Sequence, residues 1–183
     1  MEKGLGVTVF GRGAVDTIYG GTGSGQVDTS KAATMTSAIT AAGLNVNTAM
    51  MDWYSAQIAQ MKEDKTNRST PGMFTEYADV PAATRIAELS ADAVASSGVN
   101  LDGYKDAAIV VIGRSGGEGA DLYTGKFTDG TSYFELQDSE RELLKYVASQ
   151  GFSKTIVLIN SSNAMAMDWV NNPEYGVDAC LWI

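Results

Sequence analysis

The stretch "AAIVVIGRSGGEGADL", residues 107–122, decides the fold. Its first half is apolar without alternation and rich in β-branched side chains, as in a strand buried on both faces of a parallel sheet. Its second half sets Arg114, Ser115, Glu118 and Asp121 among Gly113, Gly116, Gly117 and Gly119. A core strand that runs straight into a charged glycine hinge has two readings. One is a solvated acidic turn. The other is a carboxylate brought to a ligand, because active groups sit on loops that a rigid scaffold holds in place.

Three more apolar runs read as buried strands: "VTVF" (residues 7–10), "TIVLI" (155–159) and "ACLWI" (179–183). A weaker, alternating run over 44–50 reads as a strand near a sheet edge. Helical patterns fill the gaps. Met35, Ile39 and Ala42 share a face over 30–42, with Gly43 placed to end the helix. Residues 52–65 form a looser amphipathic pattern around Trp53, Ile58 and Met61. Pro81 suits the first turn of a helix that runs to Ser90. Ser139 and Glu142 form a capping box for a helix over 139–150, stopped at Gly151. Residues 165–171 read as a short helix cut off before Pro173. Strands alternating with helices at this spacing predict an α/β layered sandwich with a mostly parallel central sheet. Such sheets take ligands at the carboxyl ends of their strands. That rule marks residues 11–26, 113–133 and 160–163.

Composition narrows the chemistry. The 183 residues are 44% hydrophobic and 19% charged, with only three prolines, which suits one globular domain. A net charge of -9 repels nucleic acid and anionic membrane surfaces, so neither is an expected partner. There is no histidine, so no Ser-His or Cys-His pair and no imidazole metal site can be built from this chain. The single Cys180 lies in an apolar run and reads as a buried, inert thiol. No run approaches the ~18 apolar residues of a membrane span, and the first residues lack the apolar region of a secretory signal. No metal or cofactor is expected.

The glycine-rich "YGGTGSGQV", residues 19–27, invites a phosphate reading. The spacing from Gly20 to Gly25 fits a P-loop, but Gln26 and Val27 stand where Lys and a hydroxyl residue are required. A tight turn, or a backbone surface laid against another domain or a sugar, fits better. In "INSSNAMAMDW", Ser162 or Asn163 reads as a helix N-cap, and Asp168-Trp169 as an ordinary helix face. Glu118, unhindered by its glycine neighbours, is a general acid/base candidate. Arg114 reads as a shaping residue that pairs with Asp121 across the loop.

Four segments together resemble one family: "VTVFGRGAVDTIYGGTGSG", "AAIVVIGRSGGEGADL", "ERELLKYVASQGFSKTIVLINSSNAMAMDWV" and "VDACLWI". In order, they are similar to the α/β-sandwich domain of glycoside hydrolase family 3, chiefly β-glucosidases. The strand followed by "GRSGGEGAD" is the most specific element, with one glycine more than the commoner pattern. The resemblance implies a retaining mechanism shared between two domains. A (β/α)8 barrel supplies an Asp nucleophile, and Glu118 of this chain is the acid/base, with Arg114, Ser115 and Asp121 binding substrate or shaping the loop. It implies a β-linked glucoside or related glycan as substrate, and no cofactor. The "GTGSG" and "GMFTEY" stretches look most like bacterial members in which the sandwich precedes the barrel. The chain is thus expected to be one sandwich domain over 1–183, truncated near its end, without the barrel, and inactive alone. A non-catalytic carbohydrate-binding or interaction module of the same fold is the alternative.

Overall fold

The computed structural model describes residues 2–20, 24, 27–63, 88–114, 124–126, 130–161 and 163–183. Among them five strands form one sheet: β1 (Gly6–Phe10), β2 (Asn45–Val46), β3 (Ala107–Arg114), β4 (Thr155–Ser161) and β5 (Ala179–Trp182). Their spatial order is β2-β1-β3-β4-β5, and every pairing is parallel. Helices α1 (Met35–Ala41), α2 (Thr48–Glu63), α3 (Ala91–Ala95) and α4 (Asp138–Ser149) lie in the connections, as parallel neighbours require crossovers. The fold is the expected α/β sandwich.

The unbroken apolar run of β3 is explained by its two faces. Ala108, Val110 and Ile112 pack with Phe10, Leu143, Leu144 and Val147 on one side of the sheet. Ala107, Ile109 and Val111 pack with Val7, Val9 and Ile39 on the other. Each fully buried Val, Leu or Ile contributes about 1.5–3 kcal/mol, so β3 is the centre of the core. Val110→Asp would break it by burying a charge with no partner.

Local chemistry sets the ends of the helices. Thr34 caps α1 by accepting the Ser37 amide, which starts that helix five residues later than the periodicity predicts. Its end is as expected: Gly43, at φ +87°, lets the amides of Gly43 and Leu44 reach back to Thr40 and Ile39. The alternating run over 44–50 is strand only at Asn45–Val46. Asn47 cuts it short by accepting the Met50 amide at 3.4 Å, so that Thr48 opens α2. Ser90 does not end a helix. It accepts the Ala93 amide and starts α3; the expected helical start at Pro81 falls outside the described residues. The box at the head of α4 is shifted by two residues. Glu140, not Glu142, turns back, and it accepts the Gln137 amide at 2.9 Å. Residues 165–171 give a 3-10 turn, Asp168–Asn171, in place of an α-helix, and no helix starts at Asn163.

The last strand departs most from expectation. Leu181, Trp182 and Ile183 are 50%, 47% and 52% exposed, because β5 is an edge strand with a neighbour on one side only. Cys180 is half-buried, and that burial raises its thiol pKa.

The strand order also places the site. From β1 the chain passes to β2 on one side, and it later returns to β3 on the other. The crevice where the order reverses, between the carboxyl ends of β1 and β3, is where sheets of this kind accept ligands.

Candidate active site

The three segments marked in the sequence leave adjacent strands at one end of the sheet, from β1, β3 and β4. Arg114, the last residue of β3, is described; Ser115, Glu118 and Asp121 lie outside the described residues.

Arg114 is 1% exposed. Its two terminal nitrogens meet the two oxygens of Glu140 at 2.5 and 2.6 Å. Nη1 also donates to the Gly113 carbonyl, Nη2 to that of Glu135 and Nε to that of Tyr133. The Tyr133 ring lies 5.9 Å from the guanidinium carbon, close enough for a cation–π contact. All five N–H groups of a guanidinium are thereby engaged. The carboxylate that neutralises Arg114 among the described residues is Glu140, a partner the sequence did not suggest; the expected pairing with Asp121 falls outside them. Burial opposes the charge on Arg114, but the Glu140 carboxylate and its hydrogen bonds outweigh that and raise the pKa.

The far side of the loop is also fixed. Lys126 and Ser132 form an antiparallel bridge. Glu135 accepts the Ser132 amide at 2.7 Å and the Lys126 ammonium at 3.1 Å. Those Ser132 bonds, with Lys126, hold its pKa down to about 2.

Asn160, near the end of β4, ties in the glycine-rich segment. It accepts the Ile18 amide at 2.7 Å and donates to the Ile18 carbonyl at 2.9 Å, as a neighbouring strand would. Ile18 leads directly to Tyr19 and Gly20. Trp182 on β5 donates from its ring nitrogen to the Ser161 carbonyl at 2.5 Å.

A second buried carboxyl lies at the end of β1. The turn there begins at Gly11, φ +93°, where a Cβ would stand 2.4 Å from the Val111 carbonyl oxygen. Glu88 accepts the next amide, Arg12 N–H, at 2.9 Å, and its own Leu89 amide at 3.0 Å. The Arg12 guanidinium turns instead to Asp16 at 3.0 Å. Although Glu88 keeps some exposure as a residue, its carboxyl is enclosed. That burial pushes its pKa up to about 7 against the two amide bonds. Among the described residues the fully buried Tyr54 hydroxyl meets no hydrogen-bond partner in good geometry, although the Gly11 backbone lies near enough to lower its pKa. Burial first, then the Glu88 charge, raises its pKa well above the usual range.

Sequence reasoning singled out Arg114 but missed Glu140 and Glu88. A glutamate three residues into a helix was legible as a cap, not as the partner of a residue 26 positions away. Nothing local marks Glu88.

With this geometry in view, the chain can be assigned. Residues 2–183 match the glycosyl hydrolase family 3 C-terminal domain, and the chain belongs to that family. Its fold and sequence are similar to a β-glucosidase from Paenibacillus barengoltzii (26% identity, TM-score 0.65, 96% of this chain and 18% of that one). They are similar too to β-glucosidase 3B from Thermotoga neapolitana, solved in complex with α-D-glucose (26% identity, TM-score 0.66, 98% of this chain and 23% of that one). The chain thus spans about a fifth of the length of those enzymes. No curated protein sequence matches it.

Proposed function

We propose that this chain is the part of a retaining β-glucosidase that supplies its general acid/base, Glu118. A (β/α)8 barrel domain carrying an Asp nucleophile completes the active site, and the substrate is a β-linked glucoside. The observation that carries the reading is the root of the "GRSGGEGAD" loop. It leaves the central strand at the point where strand order reverses, and the buried Arg114 grips both of its flanks. Two further observations support it. The family and its solved relatives are glycoside hydrolases much longer than this chain. And among the described residues the exposed large apolar side chains follow β1 (Tyr19, Val27), follow β3 (Phe134) or belong to β5 and its end (Leu181, Trp182, Ile183).

In this mechanism the Glu118 carboxyl protonates the glycosidic oxygen while the barrel Asp attacks the anomeric carbon. The aglycone leaves with that proton. Glu118, now a carboxylate, takes a proton from water as the water displaces the Asp and releases the sugar with retained configuration. The two carboxyls must stand about 5–5.5 Å apart. Among the described residues the carboxyl face has no buried cation to spare for Glu118, since Arg114 is saturated by Glu140 and Arg12 turns to Asp16. Alone, the chain has no nucleophile partner and is expected to be inactive.

Glu118→Ala in the complete enzyme tests this. Turnover of an unactivated disaccharide should fall by about 10²–10⁴-fold. Glycosylation by an aryl glucoside with a good leaving group should persist, and azide should restore turnover and yield the β-glucosyl azide. Undiminished disaccharide hydrolysis would remove Glu118 from the mechanism.

A further inference from the structure

Arg114 and Glu140 are buried at a cost that apolar side chains would avoid. A buried ion pair is at best even with a well-packed apolar pair of the same volume, and is often worse by 1–4 kcal/mol. Yet this one is fully elaborated. Glu140 spends both oxygens on Arg114 and takes the Gln137 amide as well. Arg114 spends its remaining donors on three backbone carbonyls.

Where those carbonyls lie is informative. Gly113 is in β3, just before the acidic loop; Tyr133 and Glu135 lie on the returning side, just before α4. A single guanidinium therefore ties the outgoing and returning flanks of residues 115–132, and α4 holds that guanidinium through Glu140. A hydrophobic pair would fill the space but could not fix the carbonyls, because only a planar fork of donors sets direction as well as distance.

We propose that the Arg114–Glu140 pair is a positioning clasp for the acid/base loop, and that Glu140 is thereby a positioning residue for proton donation. The proposal rests on the reading of Glu118 given above. Both clasp residues are buried, and Arg114 has no donor left to offer a substrate. They fix where the loop begins and ends, and a misplacement of about 1 Å at a reacting group costs about 10²-fold in rate.

Two variants of the complete enzyme test it. Arg114→Met with Glu140→Leu removes the pair while filling its volume. Arg114→Lys keeps the charge opposite Glu140 but offers three donors in place of five. For each, kcat and KM are measured on an unactivated disaccharide and on an aryl glucoside with a good leaving group, beside Glu118→Ala. We expect disaccharide kcat to fall roughly 10²-fold and aryl glucoside kcat less than about threefold, with KM nearly unchanged. The acid/base limb of the pH profile should shift as well. Equal losses on both substrates, or wild-type disaccharide turnover, would overturn the clasp. So would failure of the double variant to fold, since the pair would then hold the fold and not the loop. Glu118→Ala separates the two claims. If it shows no dependence on the leaving group, the reading of Glu118 fails. If it does and the clasp variants behave as wild type, only the clasp fails.

Discussion

Two buried glutamates stand at the ends of neighbouring strands, and they are treated in opposite ways. Glu140 receives both edges of Arg114 and a backbone amide. Glu88 receives two backbone amides and, among the described residues, no ion pair, because Arg12 gives its side chain to Asp16. Burial raises the pKa of Glu88 to about 7, whereas burial of Arg114 is outweighed by its carboxylate. Burial alone thus does not decide the charge state of a group; the presence of a directed counter-charge does. The β3 end is charged and rigidly bonded. The β1 end carries a proton that neutral pH can remove.

The sharpest way to break this contrast is to remove one partner at the β3 end. Arg114→Ala should leave Glu140 buried and unpaired, and three carbonyls without donors. The expected loss is about 3–5 kcal/mol of unfolding free energy, read from denaturant titration of the chain. Glu140→Ala should cost a similar amount. A loss under about 1 kcal/mol in either would mean that water replaces the missing partner, and that the end of β3 is not the closed site described.

At the β1 end, removing a charge should do the reverse, and only above acidic pH. The pKa of Glu88 is raised on folding. Below about pH 4.5 the carboxyl is protonated in both states and contributes no penalty. Between there and about 7 the unfolded chain loses its proton while the folded one keeps it, so stability falls as pH rises; above 7 the penalty is constant. Glu88→Gln abolishes the titration and keeps an oxygen for the Arg12 amide. It should match the wild type below about pH 4 and exceed it by about 3 kcal/mol at pH 8. A gain that does not vary with pH would show that Glu88 is not the group that titrates.

The sheet was legible in the sequence because its signal is local. A continuous apolar run such as residues 107–112 has few other uses. The end of that strand was legible too, since the charges and glycines that follow Arg114 conflict with burial. What could not be read were distant pairings. Arg114 meets Glu140 across 26 residues, and Arg12 meets Glu88 across 76. No periodicity reports such contacts; locally the sequence offers only Asp121 as a near carboxylate, and Ser139 with Glu142 as a capping box that the structure places at Gln137 and Glu140. The exposure of "LWI" was hidden for a related reason. Apolar sequence records what a strand needs covered, while the chain in hand leaves β5 at an edge.

The smallest effect tests the contrast most finely. Tyr54 is fully buried beside Glu88, and among the described residues its hydroxyl has no hydrogen-bond partner in good geometry. An orphaned hydroxyl costs desolvation without return, so Tyr54→Phe should leave stability unchanged or raise it by up to about 1 kcal/mol. The ring, packed edge-on 5.0 Å from Trp53, stays in place. A loss of more than about 1 kcal/mol in Tyr54→Phe would give the opposite result. The phenol would then be donating to the Glu88 carboxylate, the β1 end would hold its charge much as the β3 end does, and the difference between the two glutamates would shrink to one of degree.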